Sequence, residues 1–279
     1  MDTLIDLHLH TTCSDGHWTP PALFDQLAER GVTIASVTDH DRLDHLPEIL
    51  ALGAERGITV IPGVEITARW RETAAHILCY APLGAGFTSD ALRSVVDGIR
   101  STMLANTTMI YQTLRQRGYD FPRQDEILAD QSGQPIRAGD VARLLLESGH
   151  VTTPAQAMAL IYEAGYLQAT APLGEVVEVA RASGAVSLLA HPGRGGGEIH
   201  RYDQWEIEAL LGEIPLDGIE VHYPAHTEEQ IAVYMGLARR HDLLISAGSD
   251  SHGPRQRLPV AYPAARASAL LSRLGLDAC

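Results

Sequence analysis

The chain has 279 residues, 45% of them hydrophobic, and a formal charge of −14 at pH 7. That length suits one large α/β domain, or a domain with an insert, and supplies enough apolar material for a sizeable core. The charge argues against the basic face that duplex DNA requires, though not against a small anion held by metal ions, and no apolar run reaches the roughly 20 residues of a membrane span.

The start, "MDTLID", has neither the basic region nor the apolar stretch of a signal peptide, so a cytoplasmic location is expected. Cys13, Cys79 and Cys279 are scattered, odd in number and without a CxxC pair. They indicate neither a disulfide framework nor a thiolate zinc site.

In chain order, "TLIDLHL" (3–9) is predicted as a strand. Thr19 and Pro20 form an N-cap and a first helical residue for "PPALFDQLAERG", which closes on Gly31. A short β-branched run, "VTIASVTDH", leads to a second helix, "HLPEILALGAERG". "ITVIPGVEI" and "AHILCYA" then read as strands. The alternation suggests a parallel sheet or barrel.

From Thr88 to Gly165 no strand is expected. A long helical pattern over 89–118 and two shorter ones, 137–149 and 153–165, form a helical insert within a discontinuous domain of residues 1–87 and 166–279. Helix and strand then alternate again, with strands in "AVSLLAH", "LDGIEVH" and "LLISAGSDSH".

Nearly every predicted strand ends in a possible metal ligand: His8 and His10, then Asp39, His40 and Asp41, then Glu65, His76, His191, His222, and finally Asp250 with His252. In a parallel barrel those ends meet on one face, where barrel enzymes place their chemistry. His8 and His10 are two apart on a strand and therefore point to the same side. Imidazoles and carboxylates suit zinc, iron and manganese, and a carboxylate such as Glu65 can bridge two ions. No serine-hydrolase elbow, P-loop or Rossmann fingerprint is present. Of the 13 histidines, His17, His45, His150, His200 and His241 are assigned ordinary surface or hydrogen-bonding roles.

"DLHLHTTCSDG", "TDHD", "PGVEIT", "AHILCY", "LAHPGR" and "GSDSHG" together resemble the motifs of the PHP (polymerase and histidinol phosphatase) family. "RLLLESGHV" and "GIEVHYPAHTEEQ" are similar to the subgroup of nucleoside 3′,5′-bisphosphate phosphatases and 5′-3′ exoribonucleases. The resemblance implies an α/β fold, a distorted (β/α)7 barrel with an inserted α-helical cap domain at 88–165, and two or three Mn, Fe or Zn ions. It implies one site of His8, His10, Glu65 and Asp250, a second of Glu65, His76 and His191, and a third of Asp15, His40 and His252.

The expected reaction is hydrolysis of a phosphomonoester of a small nucleotide by a metal-bound hydroxide, the water being held by Glu65, Asp250 and His191. Cleavage of short RNA or DNA from the 5′ end is the alternative. A non-catalytic metal-binding module is disfavoured because no ligand is missing. Neither duplex DNA nor a membrane is an expected partner. Arg194, His226, His222 and Arg137 are candidate substrate contacts. One departure is Ala138-Gly139-Asp140, where relatives often carry Arg-Pro-His; it places an acid where a substrate contact is expected. The glycine-rich run after "HPGR" is another.

Overall fold

The structure is a computed structural model, and it describes residues 3–87, 89–129, 133–195 and 200–276. Thr88, Cys279 and most of the glycine-rich run, residues 196–199, lie outside the described residues. Two compact units are present, Met1–Asp97 with Thr170–Cys279, and Gly98–Ala169.

The first unit begins with β1 (Leu4–Leu9), α1 (Pro20–Glu29), β2 (Ile34–Val37), α2 (Leu46–Glu55), β3 (Thr59–Val60), β4 (Gly63–Trp70) and β5 (Thr73–Tyr80). The long α3 (Asp90–Gln116) runs from one unit into the other. In the second unit follow α4 (Gln124–Ile127), α5 (Ala138–Glu147) and α6 (Pro154–Glu163). The chain then returns with β6 (Ala171–Pro172), α7 (Leu173–Ala182), β7 (Val186–Leu189), α8 (Gln204–Glu213), β8 (Gly218–His222), α9 (Glu228–His241), β9 (Leu244–Ala247), β10 (Tyr262–Pro263) and α10 (Ser268–Arg273). Among the described residues, no helix is long and apolar enough to cross a membrane.

The helix boundaries follow from local chemistry. Thr19 accepts a hydrogen bond from the Ala22 amide, and Pro20 opens α1 where no amide is needed. Thr227 and Gln230 cap α9 reciprocally, as do Asp203 and Glu206 for α8.

The strands form two sheets, in the orders β10-β1-β2-β3 and β6-β4-β5-β7-β8-β9. Single parallel bridges join them at Leu9–Ser251 and His40–Glu65. The expected continuous strand over 58–66 is broken at Pro62, which has no amide to donate to a ladder. The break lets the chain leave β3 in one sheet and enter β4 in the other.

The alternation is not wholly parallel. β4 and β5 form a hairpin in register from Gly63–Tyr80 to Trp70–Thr73, and β5 is also antiparallel to β7. This corrects the expectation that nearly every strand ends in a ligand, since Glu65 is the third residue of β4 and His76 the fourth of β5. His76 lies near the start of β5, opposite Thr67, and the reversed direction of β5 brings it beside Glu65.

Apolar clusters fill the first unit. Leu7, Ile61, Leu78, Tyr80 and Leu188 pack with Leu270 and Leu271 of α10, and Phe24 and Leu27 of α1 pack with Val37 and Ile49. The second unit has its own core of Ile110, Leu114, Phe121, Leu144, Leu145 and Ile161.

Candidate metal centre

β1 is buried along most of its length, and its period of two places Asp6, His8 and His10 on one face. His8 Nε2 lies 3.1 Å from His10 Nε2, 3.0 Å from Glu65 Oε2 and 3.5 Å from Asp250 Oδ1. Glu65 sits at the centre of the group. Its Oε2 also meets His10 at 3.1 Å and His40 at 3.4 Å, while its Oε1 lies 3.0 Å from both His76 Nδ1 and His191 Nε2. Asp15 closes the open side, 3.3 Å from His252 Nε2 and 4.0 Å from His40 Nε2.

All nine residues expected as metal ligands therefore converge. Their ligand atoms fall into three overlapping groups: His8, Glu65, His191 and Asp250; His40, Glu65 and His76; and His10, Asp15, His40 and His252. The division differs from the expected one in moving His10 toward Asp15 and His191 toward His8. His40 and Glu65 are the shared members.

The electrostatics are those of a site built for cations. Burial alone would raise the Glu65 carboxyl, but the imidazoles of His8, His40 and His76 outweigh it and hold it well below the usual range. Burial likewise opposes the ionised form of Asp250, and His8, His10, His191 and His252 overcome it. His40 is depressed to about 3, first by burial, whereas His10 is held up to about 10 because Asp250 and Glu65 outweigh its burial. His10 Nδ1, His40 Nδ1, His76 Nδ1 and Asp250 Oδ1 are buried without a hydrogen-bond partner. Such orphaned donor atoms, all nitrogen or oxygen, fit divalent transition-metal ions.

The backbone bends to deliver these groups. Asp41, His191 and Asp250 adopt left-handed φ values of 49°, 26° and 53° although none is glycine, the kind of strain that collects at functional sites. Gly248 is required beside them, since a Cβ there would lie 2.2 Å from His8 Cβ and 2.8 Å from Glu220 Oε1.

A family model for the PHP domain matches residues 6–182. The chain belongs to the PHP domain family.

Similar proteins include the 3′,5′-nucleoside bisphosphate phosphatase of Chromobacterium violaceum, 30% identical over 90% of this chain and 87% of that protein. The 5′-3′ exoribonuclease Rnm of Salmonella typhimurium is 28% identical, over 90% of this chain and 86% of its own length. A phosphoribosyl 1,2-cyclic phosphate 1,2-diphosphodiesterase of Eggerthella lenta is also 28% identical, over 91% and 96%. Among solved structures, a metal-dependent phosphoesterase from Bifidobacterium adolescentis superposes with a TM-score of 0.78 at 26% identity, covering 96% of both chains. This PHP protein is a hydrolase of the metal-dependent phosphoesterase class.

The expected substrate contacts fare unequally. Arg194 stands at the edge of the PHP centre, its Nη1 donating to Asp250 Oδ2 at 2.7 Å. His226 is engaged elsewhere: Nδ1 lies 2.9 Å from the Val221 carbonyl, and Nε2 accepts from the Gly193 amide at 3.1 Å. With both ring nitrogens committed to the backbone, it positions the turn that carries Arg194. His222 is turned toward Arg266, 2.9 Å from Nδ1, because the β8–β9 register shifts between Glu220 and His222. Arg137 belongs to the second unit, 4.0 Å from Asp140. Asp140 itself accepts the amides of Ile136 and Arg137, at 2.9 and 2.8 Å, so the departure from Arg-Pro-His supplies a helix cap.

Asp39 and Asp41, which end the second strand in sequence, support the site from behind. Asp41 accepts from the Thr67 amide and hydroxyl at 2.8 and 2.6 Å, pinning β4 beside Glu65. Two further carboxylates escaped the sequence reading. Glu220 is fully buried and accepts the His191 amide at 2.7 Å, and its other oxygen lies 3.0 Å from His8 Nδ1. This fixes which His8 nitrogen faces the centre. Asp6 accepts the Ser249 and Val260 amides at 2.8 and 2.9 Å, holding the turn that presents Asp250. The available signal was an acid inside an otherwise apolar strand, in "LIDLHL" and "GIEVH".

Proposed function

We propose that this enzyme removes a phosphate group from a small nucleotide, of the type of a nucleoside 3′,5′-bisphosphate, using two or three ions of manganese, iron or zinc. The observation that carries the reading is the single carboxylate, Glu65, within 3.4 Å of five imidazoles. His8, His10, Asp15, His40, Glu65, His76, His191, Asp250 and His252 would hold the ions. Bound there, the ions supply Lewis acidity toward phosphate oxygens and an activated water.

The chain's own residues complete the chemistry. Arg194 and Arg257 approach the same oxygen of Asp250, at 2.7 and 3.6 Å, and the Tyr223 hydroxyl donates to it at 3.3 Å. A guanidinium has five N–H donors in a fork, so Arg194 keeps donors for a phosphate after binding Asp250. Glu220 holds His8 and His191 in place while charge builds on the phosphate.

A small substrate is favoured over a strand by the state of the second unit's arginines. Arg115 pairs with Asp120 at 2.6 Å, Arg123 with Glu126 at 2.6 Å, and Arg143 with Glu147 at 3.2 Å. Arg117 donates to the Glu163 carbonyl at 2.9 Å. Cations so occupied, in a chain of net charge −14, make a poor track for a polyanion.

The test compares kcat/KM for adenosine 3′,5′-bisphosphate and for a 5′-phosphorylated RNA pentamer, with manganese, iron or zinc supplied. Phosphate release from the mononucleotide at the higher rate, with weak salt dependence, is expected. Faster release of 5′-mononucleotides from the pentamer would assign the enzyme to the exonuclease activity that several relatives' names carry.

A further inference from the structure

Behind the nine-residue centre lies a second group of metal-ligand chemistry. Cys13, Asp39 and His45 each present a ligand atom, and these atoms lie within 4.8 Å of one another. The sequence gives no reason to connect a lone cysteine with a histidine 32 positions later. The loop after β1 and the segment between β2 and α2 bring them together.

His45 is the telling residue. It stands at the N-cap position of α2, yet its side chain does not cap the helix. Only 6% of the residue is exposed, and neither Nδ1 nor Nε2 has a hydrogen-bond partner. Nε2 lies at an ion-pair distance, 2.8 Å, from Asp39 Oδ2. His76 Nδ1 stands at a similar distance, 3.0 Å, from Glu65 Oε1 in the main centre. A buried imidazole this close to a buried carboxylate, with its Nδ1 left unpartnered, is placed for both groups to face a common cation.

The other two ligands are held ready. Asp39 is fully buried and accepts from the Thr11 amide at 2.7 Å, the Thr11 hydroxyl at 2.7 Å and the Ser14 hydroxyl at 2.5 Å. Arg42 donates to the Cys13 carbonyl at 2.7 Å, tying the cysteine's loop to the segment that leads into α2. Cys13 is partly exposed, so a water can reach the group as a further ligand.

We infer that Cys13, Asp39 and His45 form a separate site for a divalent ion of the zinc class. Sulfur, imidazole and carboxylate together suit Zn(II) and its spectroscopic substitute Co(II), and disfavour magnesium or calcium. Binding converts the Cys13 thiol to thiolate and releases its proton to solvent. The ion would fasten the loop whose next acidic residue, Asp15, closes the main centre. Its role is therefore to hold that loop.

The main centre has no sulfur ligand, which makes the test selective. Chelator-stripped full-length protein is titrated with Co(II). A near-ultraviolet sulfur-to-cobalt charge-transfer band is expected, together with the visible bands of nitrogen- and oxygen-bound cobalt. Cys13→Ser should abolish the sulfur band and retain the visible bands, and Cys279→Ser should change neither. Visible bands with no sulfur band in the wild type, or a sulfur band that survives Cys13→Ser, would overturn the site while leaving the phosphoesterase reading untouched. Peptide mapping covers the case in which the serine variant does not fold. Zn(II) should shield Cys13 from iodoacetamide in the wild type and fail to shield it in His45→Asn. Equal alkylation with and without Zn(II) in the wild type, or shielding that persists in His45→Asn, would also reject the site.

Discussion

The polar end of the first unit and the helical second unit obey opposite rules. Around Glu65, charged groups are buried, ring nitrogens lack partners, and non-glycine residues take left-handed backbone angles. In the second unit Arg115, Arg123 and Arg143 pair with nearby acids at the surface, and the helices close over an ordinary apolar core. The first pattern sacrifices local stability for a place where cations are wanted. The second satisfies most of its local preferences, as a structural module does, although Thr107 Oγ1, Arg137 Nη1 and Ser148 Oγ are buried there without a hydrogen-bond partner. Function concentrates where the local rules are broken, so the same kind of substitution should have unequal consequences in the two regions.

The largest effect is expected from Glu65→Gln. The change preserves shape but removes a charge and one coordinating oxygen from the residue that all five imidazoles face. Turnover should fall by on the order of a hundredfold or more, with circular dichroism unchanged because the core beneath is apolar. Near-wild-type turnover would remove Glu65 from the chemistry.

Glu220→Ala should come next. It deprives the His191 amide of its acceptor and His8 Nδ1 of its carboxylate partner. Metal affinity should drop roughly 10- to 100-fold, the usual cost of losing a partner that orients ligands, and Glu220→Gln should recover part of it. Unchanged affinity in both variants would reduce Glu220 to a packing residue.

A pH dependence follows from the same crowding. Without ions, the His8–His10 pair binds protons more tightly than free imidazole, because Glu65, Glu220 and Asp250 outweigh the burial that opposes its charge. Ions must displace those protons, so affinity should rise with pH and weaken as pH falls. Calorimetric titration in two buffers of different ionisation heat should show release of about one proton or more per chain. Heats that do not depend on the buffer would contradict this.

The smallest effects belong to the second unit. Asp140→Ala removes the acceptor for two amides at the head of α5 and should cost about 1 kcal/mol of stability with metal content unchanged. Arg123→Gln breaks an exposed ion pair and should leave the melting temperature unaltered, since such pairs contribute little in water. A loss of bound metal in either variant would break the contrast between the regions.

By itself, the sequence determined the ligand inventory and most of the elements. Histidines at period two on β1, and acids and histidines beside predicted strands, are local patterns that survive folding unchanged. The metal-binding character was legible for that reason, and the phosphoesterase class from the resemblance of the motifs to the PHP family. Only the tertiary structure decided matters of direction and proximity. The antiparallel course of β5 depends on a hairpin at Arg71 and Glu72, and no pattern in "AHILCYA" states which way that strand runs. The register shift after Glu220 turns that carboxylate to His8 and His222 to Arg266, although alternation alone would give both the same face. The role of His226 was equally hidden, because a histidine's function depends on what meets its two nitrogens. Those partners, the Gly193 amide and the Val221 carbonyl, are brought to it only in the folded chain.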